Sequence, residues 1–385
     1  MLSPAPIIEG QEGEVSLDVK FVEGMKLHSQ LWPGRIVCVM WRGSTFIAEP
    51  MRYSISRLGF DLLILDDHES VPEMLLDEAT LVYAAADDIQ HLDLSAQMIG
   101  RFGRVVYTVE QSLRGRLAGA LASTNSLRRR LGSFVWNVRQ DRHLRKALRE
   151  ADGIHCNGFP SFNDYRKLNG RSLRYLDNRI RTPQIMRSHE FEAKSARLRS
   201  GEPLRLVWFG HFEETPGTLD LLPVAYLLSL RGIPFTLQII GAGVHEGQLR
   251  AGIESLGLGH CVAISEQGSF DSELVPYLKA NADIFVSAHR LHNPLSSYIE
   301  SLGCGMPIIG YRNAMTRALV RESGAGSLTW RNQPSSLVSQ ITRMHHDREA
   351  VIEASRKAIE FARQNSFENV FVRRMTDLRE IVGME

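Results

Sequence analysis

The sequence predicts an α/β protein built from two doubly wound domains, and three observations predict it. Short apolar, β-branched runs recur along the chain, each followed by a polar or glycine-containing turn and then a helical pattern. At 385 residues the chain is long for a single core and suits two. Between its halves lies "MRSHEFEAKSARLRSGEPL", Met186 to Leu204, which is polar, charged and glycine-containing and reads as the linker.

The strands follow in order. In the first half they are "RIVCVMW" (Arg35–Trp41), "DLLILDD" (Asp61–Asp67), "TLVYAAA" (Thr80–Ala86), "RVVYTVE" (Arg104–Glu110), "GIHCNG" (Gly153–Gly158) and "LRYLDN" (Leu173–Asn178). In the second half they are "RLVWFG" (Arg205–Gly210), "FTLQIIG" (Phe235–Gly241), "CVAIS" (Cys261–Ser265), "DIFVSA" (Asp283–Ala288) and "PIIGY" (Pro307–Tyr311). Strands alternating with helices at this spacing imply parallel sheets covered on both faces. The last stretch, Asp347–Val382, reads as two helices broken near Asn365-Ser366, with Val351, Ala354, Ala358 and Phe361 at helical spacing. The expected division is therefore a first domain over 1–190, a second over 191–365, and a terminal helix over 366–385 packing back on the first.

Composition removes several function classes. Lys+Arg 45 against Asp+Glu 44 leaves no global field, so no nucleic-acid partner is expected. Cys38, Cys156, Cys261 and Cys304 are scattered, without CxxC or histidines at metal spacing; buried, reduced thiols and no metal site are expected. The first residues, "MLSPAPIIEGQEGEVSLDVK", have neither a basic segment nor an apolar core, so they do not read as a signal peptide. No window approaches about 18 apolar residues, the length a membrane span needs. A cytoplasmic placement follows as the expectation.

One region departs from this neutral average. Between Leu113 and Arg149 the basic residues Arg114, Arg116, Arg128, Arg129, Arg130, Arg139, Arg142, Arg145, Lys146 and Arg149 face only Asp141. Leu117, Leu121, Leu127, Leu131, Phe134, Val135, Trp136 and Val138 are interleaved with them. Such helices can lie on an anionic membrane surface. They can equally present a solvated basic face over a core-facing apolar one, and the sequence leaves both open.

In a doubly wound sheet, ligands sit beyond the carboxyl ends of the strands. Three turns of the second domain fit: "GHFEETPGTLD" from Gly210 to Asp220, "GAG" from Gly241 to Gly243, and the stretch from Ser287 to Tyr311. Gly241 and Gly243 allow either a close approach to a ligand or a tight turn. In the third stretch Asn293 reads as a helix N-cap and Pro294 as the first helical residue. The amides near Leu295, Ser296 and Ser297 would then face an anion, with the positive end of the helix dipole behind them. Glu300, further along, could take two hydrogen bonds from the vicinal hydroxyls of a ribose, or stand solvated on the helix surface. Together these features describe a nucleotide site. A dinucleotide-binding reading is weaker, because "GAGVHEG" puts glycines at 241, 243 and 247 and misses the usual spacing.

The runs "IESLGCGMPIIGY", "LRLVWFGHF", "FTLQIIGAG" and "ESGAG" resemble the donor half of the retaining, GT-B-fold glycosyltransferases of family 4, the glycosyl transferases group 1. The resemblance covers Leu204 to Arg363 well and the first half in outline. It implies two Rossmann-like domains facing each other across a cleft, with no cofactor and no obligatory metal. The donor would be a UDP- or GDP-linked sugar on the second domain, and the acceptor a glycan or polyisoprenoid-linked molecule on the first. By the same resemblance Glu300 falls on the family's second motif glutamate, which holds the ribose, and Gly241 to Gly243 on the loop beside the phosphates; Gly210 and His211 lie in the first donor turn.

The chain also departs from the family pattern. The first motif glutamate is His292 here, and the usual arginine and lysine of the first turn align with His211 and Pro216. Either Arg290, His292, His211 and the helix amides supply the charge that a leaving diphosphate needs, or donor cleavage has been lost. Arg290 could equally be a surface ion-pairing residue. On the acceptor side, "VVYTVEQ" offers Glu110 as a candidate catalytic base or a helix cap. Arg42 and Gly43 of "WRGSTF", and Asn157 of "HCNGFPS", would face the acceptor. Asp177 and Arg179 read as a structural ion pair. The resemblance thus implies a retaining glycosyltransferase in glycan or polysaccharide assembly, and the basic region leaves a place on the inner face of the plasma membrane open to it. The competing reading is a non-catalytic protein of the same fold that binds nucleotide-sugar or a partner transferase.

Overall fold

The computed structural model describes residues 1–11, 13–43, 47, 50–122, 126–212 and 217–384. It is a mixed α/β chain that divides into two compact units: Met1–Leu113, Gly132–Tyr175 and Glu368–Glu385 form the first; Arg114–Leu131 and Leu176–Phe367 form the second.

The first unit holds β1 (Ile8–Glu9), β2 (Glu14–Asp18), β3 (Val37–Trp41), β4 (Pro50–Ser54), β5 (Asp61–Leu65), β6 (Leu81–Ala85), β7 (Arg104–Val109), β8 (Gly153–Asn157) and β9 (Ser172–Tyr175). β3 and β5 pair in parallel, and β6-β7-β8-β9 form a parallel run in sequence order. The first residues lie between these groups: Leu2 bridges Val39 and Ala84, its amide donates to Tyr83 O at 2.9 Å, and Val39 N donates to Met1 O at 2.8 Å. Three residues carry no readable periodicity, so this strand-like insertion could not be foreseen. β1, β2 and β4 make a small antiparallel sheet that was also not expected. β2 does alternate, with Val15 and Leu17 buried. The strand β8 is buried along its whole length, which places His155 in the core. Its ring meets Tyr83 Oη and Asp377 Oδ2, each at 2.9 Å, so the buried imidazole is satisfied.

The second unit is one six-stranded parallel sheet of β10 (Leu204–Phe209), β11 (Phe235–Ile240), β12 (Val262–Ser265), β13 (Ile284–Ser287), β14 (Ile308–Gly310) and β15 (Gly326–Leu328), in the order β12-β11-β10-β13-β14-β15. β10 to β14 fall where the apolar runs placed them; β15 is too short and glycine-rich to read. Met186–Leu204, expected as linker, is instead occupied mainly by the helix Ser188–Arg199. One turn of it, Lys194, Ser195 and Leu198, is buried, and Lys194 Nζ donates to Gly305 O at 2.6 Å. Its polar composition misled because a long lysine stem can be buried while its ammonium meets a carbonyl. The terminal helices run Arg348–Gln364 and Phe367–Ile381, with the break at the expected place.

Candidate functional site

The strand order of the second unit fixes where a ligand fits. From β10 the chain adds β11 and β12 on one side, then crosses back to place β13 on the other. The loops after β10 and β13 therefore leave the sheet in opposite directions, and the crevice between them is the switch point where doubly wound proteins hold ligands.

The loop after β10 carries Gly210, with φ 146°, and an exposed His211. Pro216, aligned with the family's lysine, lies outside the described residues. Gly217, also at φ 146°, passes so close to β13 that a Cβ would lie 2.2 Å from Ala288 O. Gly241 and Gly243 pack closely against the protein's own backbone. A Cβ on Gly241 would sit 1.9 Å from Gly210 O, and one on Gly243 would sit 2.6 Å from Phe212 O. These glycines let the turns after β10 and β11 run against each other, joined by Phe212 N to Ala242 O at 2.8 Å.

The loop after β13 carries the polar groups. The helix there runs Ser296–Gly303 with Leu295 at the N-cap, so the expected cap at Asn293 and start at Pro294 are corrected by two residues. Asn293 Oδ1 is buried without a hydrogen-bond partner and caps nothing. The amides of Ser296 and Ser297 begin the first turn and have no acceptor within the helix. His292 Nδ1 accepts from Ala314 N at 3.1 Å, which requires a neutral ring protonated at Nε2. His289 is half-buried, and burial pushes its pKa down to about 4. Arg290 is then the cation of this loop. Its Nη2 donates to Asp220 Oδ2 at 2.5 Å, and its guanidinium lies 5.4 Å from the Tyr311 ring centroid.

Glu300 is 3% exposed and held inside its own unit. Its Oε1 accepts from Arg179 N at 3.2 Å and lies 3.6 Å from Arg179 Nε. Arg179 also stacks over Phe270 at 4.2 Å, so its guanidinium lies between that ring and Glu300. The helix ends at Cys304 with Gly305 left-handed at φ 68°. A Cβ on Gly303 would meet Ile180 at 2.8 Å, which accounts for the Gly-Cys-Gly stop.

In the first unit, Glu110 follows β7 and is clamped. Asn157 Nδ2 and Tyr175 Oη each donate to its carboxylate at 2.6 Å, and its own amide donates to Asp87 Oδ2 at 2.6 Å. Carboxyl ends of β6, β7, β8 and β9 thus converge on one acid. Arg42, at the end of β3, is exposed and ion-paired with Glu9 at 2.8 Å and with Asp66. Gly43, φ 152°, has open space around its Cα; Ser44, Thr45 and Phe46 lie outside the described residues. Of the basic region, helix Leu127–Glu150 buries Asn137, Asp141, Leu144, Ala147 and Leu148. It exposes Leu127, Leu131, Phe134 and Val135 at i, i+4, i+7 and i+8, one stripe, with Arg128, Arg139 and Arg142 beside it. Among the described residues no helix is long and apolar enough to cross a membrane.

Sequence reasoning missed Asp220, Tyr311, Asp87 and Tyr175 and named Arg179 only as a partner of Asp177; each of the five touches a candidate. Their signal was positional: all five lie at or just beyond a strand's carboxyl end or in the turn that follows.

Residues 190–365 match the family described as Glycosyl transferases group 1. Comparison with curated protein sequences gives no significant match. Among solved structures, Anabaena HepE in complex with UDP is similar at 13% identity and TM-score 0.65, over 93% of this chain and 95% of that one. A glycosyltransferase of Rickettsia africae ESF-5 is similar at 11% identity and TM-score 0.63, over 100% and 98%. WaaG, a glycosyltransferase involved in lipopolysaccharide biosynthesis, is similar at 14% identity and TM-score 0.56, over 95% and 96%. At these identities the likeness is one of fold, and the fold is that of the GT-B glycosyltransferases.

Proposed function

We propose that this chain, whose residues 190–365 belong to the glycosyl transferases group 1, transfers a sugar from a UDP- or GDP-linked donor to a glycan or lipid-linked acceptor with retention of configuration. The observation that carries the reading is the loop after β13. It carries both a fixed Arg290 and the first helix amides, at Ser296 and Ser297, at the sheet's switch point and within the region that matches the family. HepE binding UDP supports a uridine nucleotide as the first donor to try.

In this reading the second unit holds the donor. The amides and Arg290 face the diphosphate and stabilise the charge that grows as the anomeric C–O bond breaks, and no metal ion is required. Glu300 faces the ribose hydroxyls. His292, neutral, donates from Nε2 as a hydrogen bond and carries no charge. The first unit holds the acceptor. Glu110, oriented by Asn157 and Tyr175, takes the proton of the attacking hydroxyl, which forms the new glycosidic bond on the face the diphosphate leaves. Arg42 and Gly43 border that acceptor region. The apolar stripe of helix Leu127–Glu150 rests on the anionic inner face of the plasma membrane, where a lipid-linked acceptor would be found. Incubating the protein with UDP- and GDP-sugars and a membrane extract tests this. Release of UDP or GDP coupled to sugar incorporation is expected, and its absence with every donor, despite nucleotide binding, overturns catalysis.

A second reading, a non-catalytic binder of nucleotide-sugar or of a partner transferase, is favoured by one feature. His292, at the family's glutamate position, is engaged by the protein's own Ala314 amide. That experiment separates the two.

A further inference from the structure

Arg290 is not an isolated surface cation. It leaves the end of β13 and reaches Asp220, in the short turn Thr218–Asp220 that follows the loop after β10. Tyr311, just past β14 and fully buried, donates its hydroxyl to the same Asp220 Oδ2 at 2.8 Å while its ring lies under the guanidinium. Residues from three neighbouring strand ends thus fix one arginine from two directions. A second observation shows that the fixing leaves something over: Arg290 Nε is buried with no hydrogen-bond partner. A buried guanidinium N–H without an acceptor is costly, and orphaned groups of this kind call for a ligand or water to complete them. His289 Nε2 and Asn293 Oδ1, in the same loop, are likewise buried without a partner.

We propose that Asp220 and Tyr311 are positioning residues that hold Arg290 so that its unpartnered Nε–H meets a phosphate of the bound nucleotide diphosphate. The inference rests on the nucleotide-binding part of the function proposed above. It adds that the charge missing at His211 and Pro216 is restored by geometry: one arginine, pre-oriented, in place of two mobile cations. Asp220 offsets part of the positive charge, so its presence makes sense only if orientation matters more than field strength. A guanidinium pinned at Nη2 and against a ring spends less conformational freedom when it meets an oxyanion.

The test compares UDP with uridine by calorimetric titration of the full chain, with GDP and guanosine as the second pair. The preference for diphosphate over nucleoside isolates the phosphate contact. In the wild type a preference of tenfold or more is expected. Arg290→Ala should lose about tenfold of it with nucleoside binding unchanged. Asp220→Asn and Tyr311→Phe should each lose threefold or more, again with nucleoside binding unchanged, which a merely structural loss would not spare. Combining Asp220→Asn with Arg290→Ala should lose no more than Arg290→Ala alone, since the aspartate acts through the arginine. A gain in UDP affinity in Asp220→Asn would mean the acid only neutralises Arg290, and multiplying effects in the double variant would mean it acts independently; either overturns the inference. Wild-type protein that binds neither UDP nor GDP overturns the nucleotide reading itself, a separate outcome.

Discussion

Glu300 has two demands on it in the proposed reading, and a substitution can separate them. Its carboxylate accepts the Arg179 amide and lies near that residue's guanidinium, which ties the helix Ser296–Gly303 to the segment following β9. The ribose role adds a second use for the same group. Glu300→Gln keeps an oxygen for the Arg179 amide and replaces a charged acceptor with a weaker one. Donor KM should rise about tenfold, since a hydrogen bond to a charged group is worth roughly 1.5–3 kcal/mol, while kcat and the melting temperature change little. Steady-state kinetics with thermal denaturation reads this; an unchanged KM would leave Glu300 a structural residue that ties its helix to Arg179. The residue scale is also where sequence reading was most uneven. Glu300, Arg290 and Glu110 were legible as polar candidates in the turns and helix starts that follow strands, each beside a bland alternative. Asp220, Tyr311 and Arg179 were not, because their meaning lies in partners 70, 91 and 121 residues away.

At the scale of elements, helix Leu127–Glu150 presents two unlike faces. The side carrying Asp141, Leu144 and Leu148 is buried, and Asp141 accepts from Tyr165 Oη at 2.6 Å and from Arg145 Nε at 2.5 Å. Its first turns expose Leu127, Leu131, Phe134 and Val135 to water, an arrangement that helps only if something apolar covers it. The flanking arginines select an anionic surface, each adding about 1 kcal/mol near such a membrane. Replacing Leu131 and Phe134 with serine should cut co-sedimentation with phosphatidylglycerol vesicles at least tenfold. Wild-type binding should weaken as salt rises and be absent on phosphatidylcholine vesicles. Equal binding to both vesicle types, or no effect of the serines, would refute the membrane role. Elements with strong periodicity were the legible ones: β10, β11 and β13 stand as their apolar runs said. The start of helix Ser296–Gly303 was misread by two residues because Asn-Pro is the usual entry signal, yet here Leu295 takes the extended cap conformation. Residues 1–3 and β15 were too short for any pattern to form.

At the scale of the whole chain, sequence order and compact units do not coincide. The chain leaves the first unit at Tyr175 and returns to it at Glu368. Alternation of strands and helices pointed to two parallel-sheet units, and the helix over 366–385 was expected to pack back on the first. What the returning segment does is chemical as well as steric. Arg374 donates to Tyr83 Oη at 2.6 Å and stacks on Tyr175 at 4.3 Å, while Asp377 meets the buried His155. His28, also buried, faces Met375 and Phe371 of the same helix Phe367–Ile381. Burial lowers the pKa of His155, with the Arg374 charge opposing protonation further and Asp377 partly restoring it. Burial, Arg374, the Met1 amino group and His155 lower that of His28 well below its ordinary value. Both rings therefore bind protons more readily in the unfolded chain, and the sign follows. Stability is full above pH 6.5, the ordinary histidine value, and declines as pH falls below it toward the depressed folded values. Between pH 7.5 and 5.5, opening that exposes His28 should become easier by up to about tenfold, and opening that also exposes His155 easier still. Hydrogen exchange, corrected for its intrinsic pH dependence, should show β8 and helix Phe367–Ile381 losing protection together and by the same factor. His155→Gln should remove its share of the loss. His289 gives the second unit an acid slope of its own, so the diagnostic quantity is the shared factor in the first unit. Should the terminal helix exchange independently of β8 at both pH values, the residues after Glu368 would be an appendage, and the buried histidines would answer to the sheet alone.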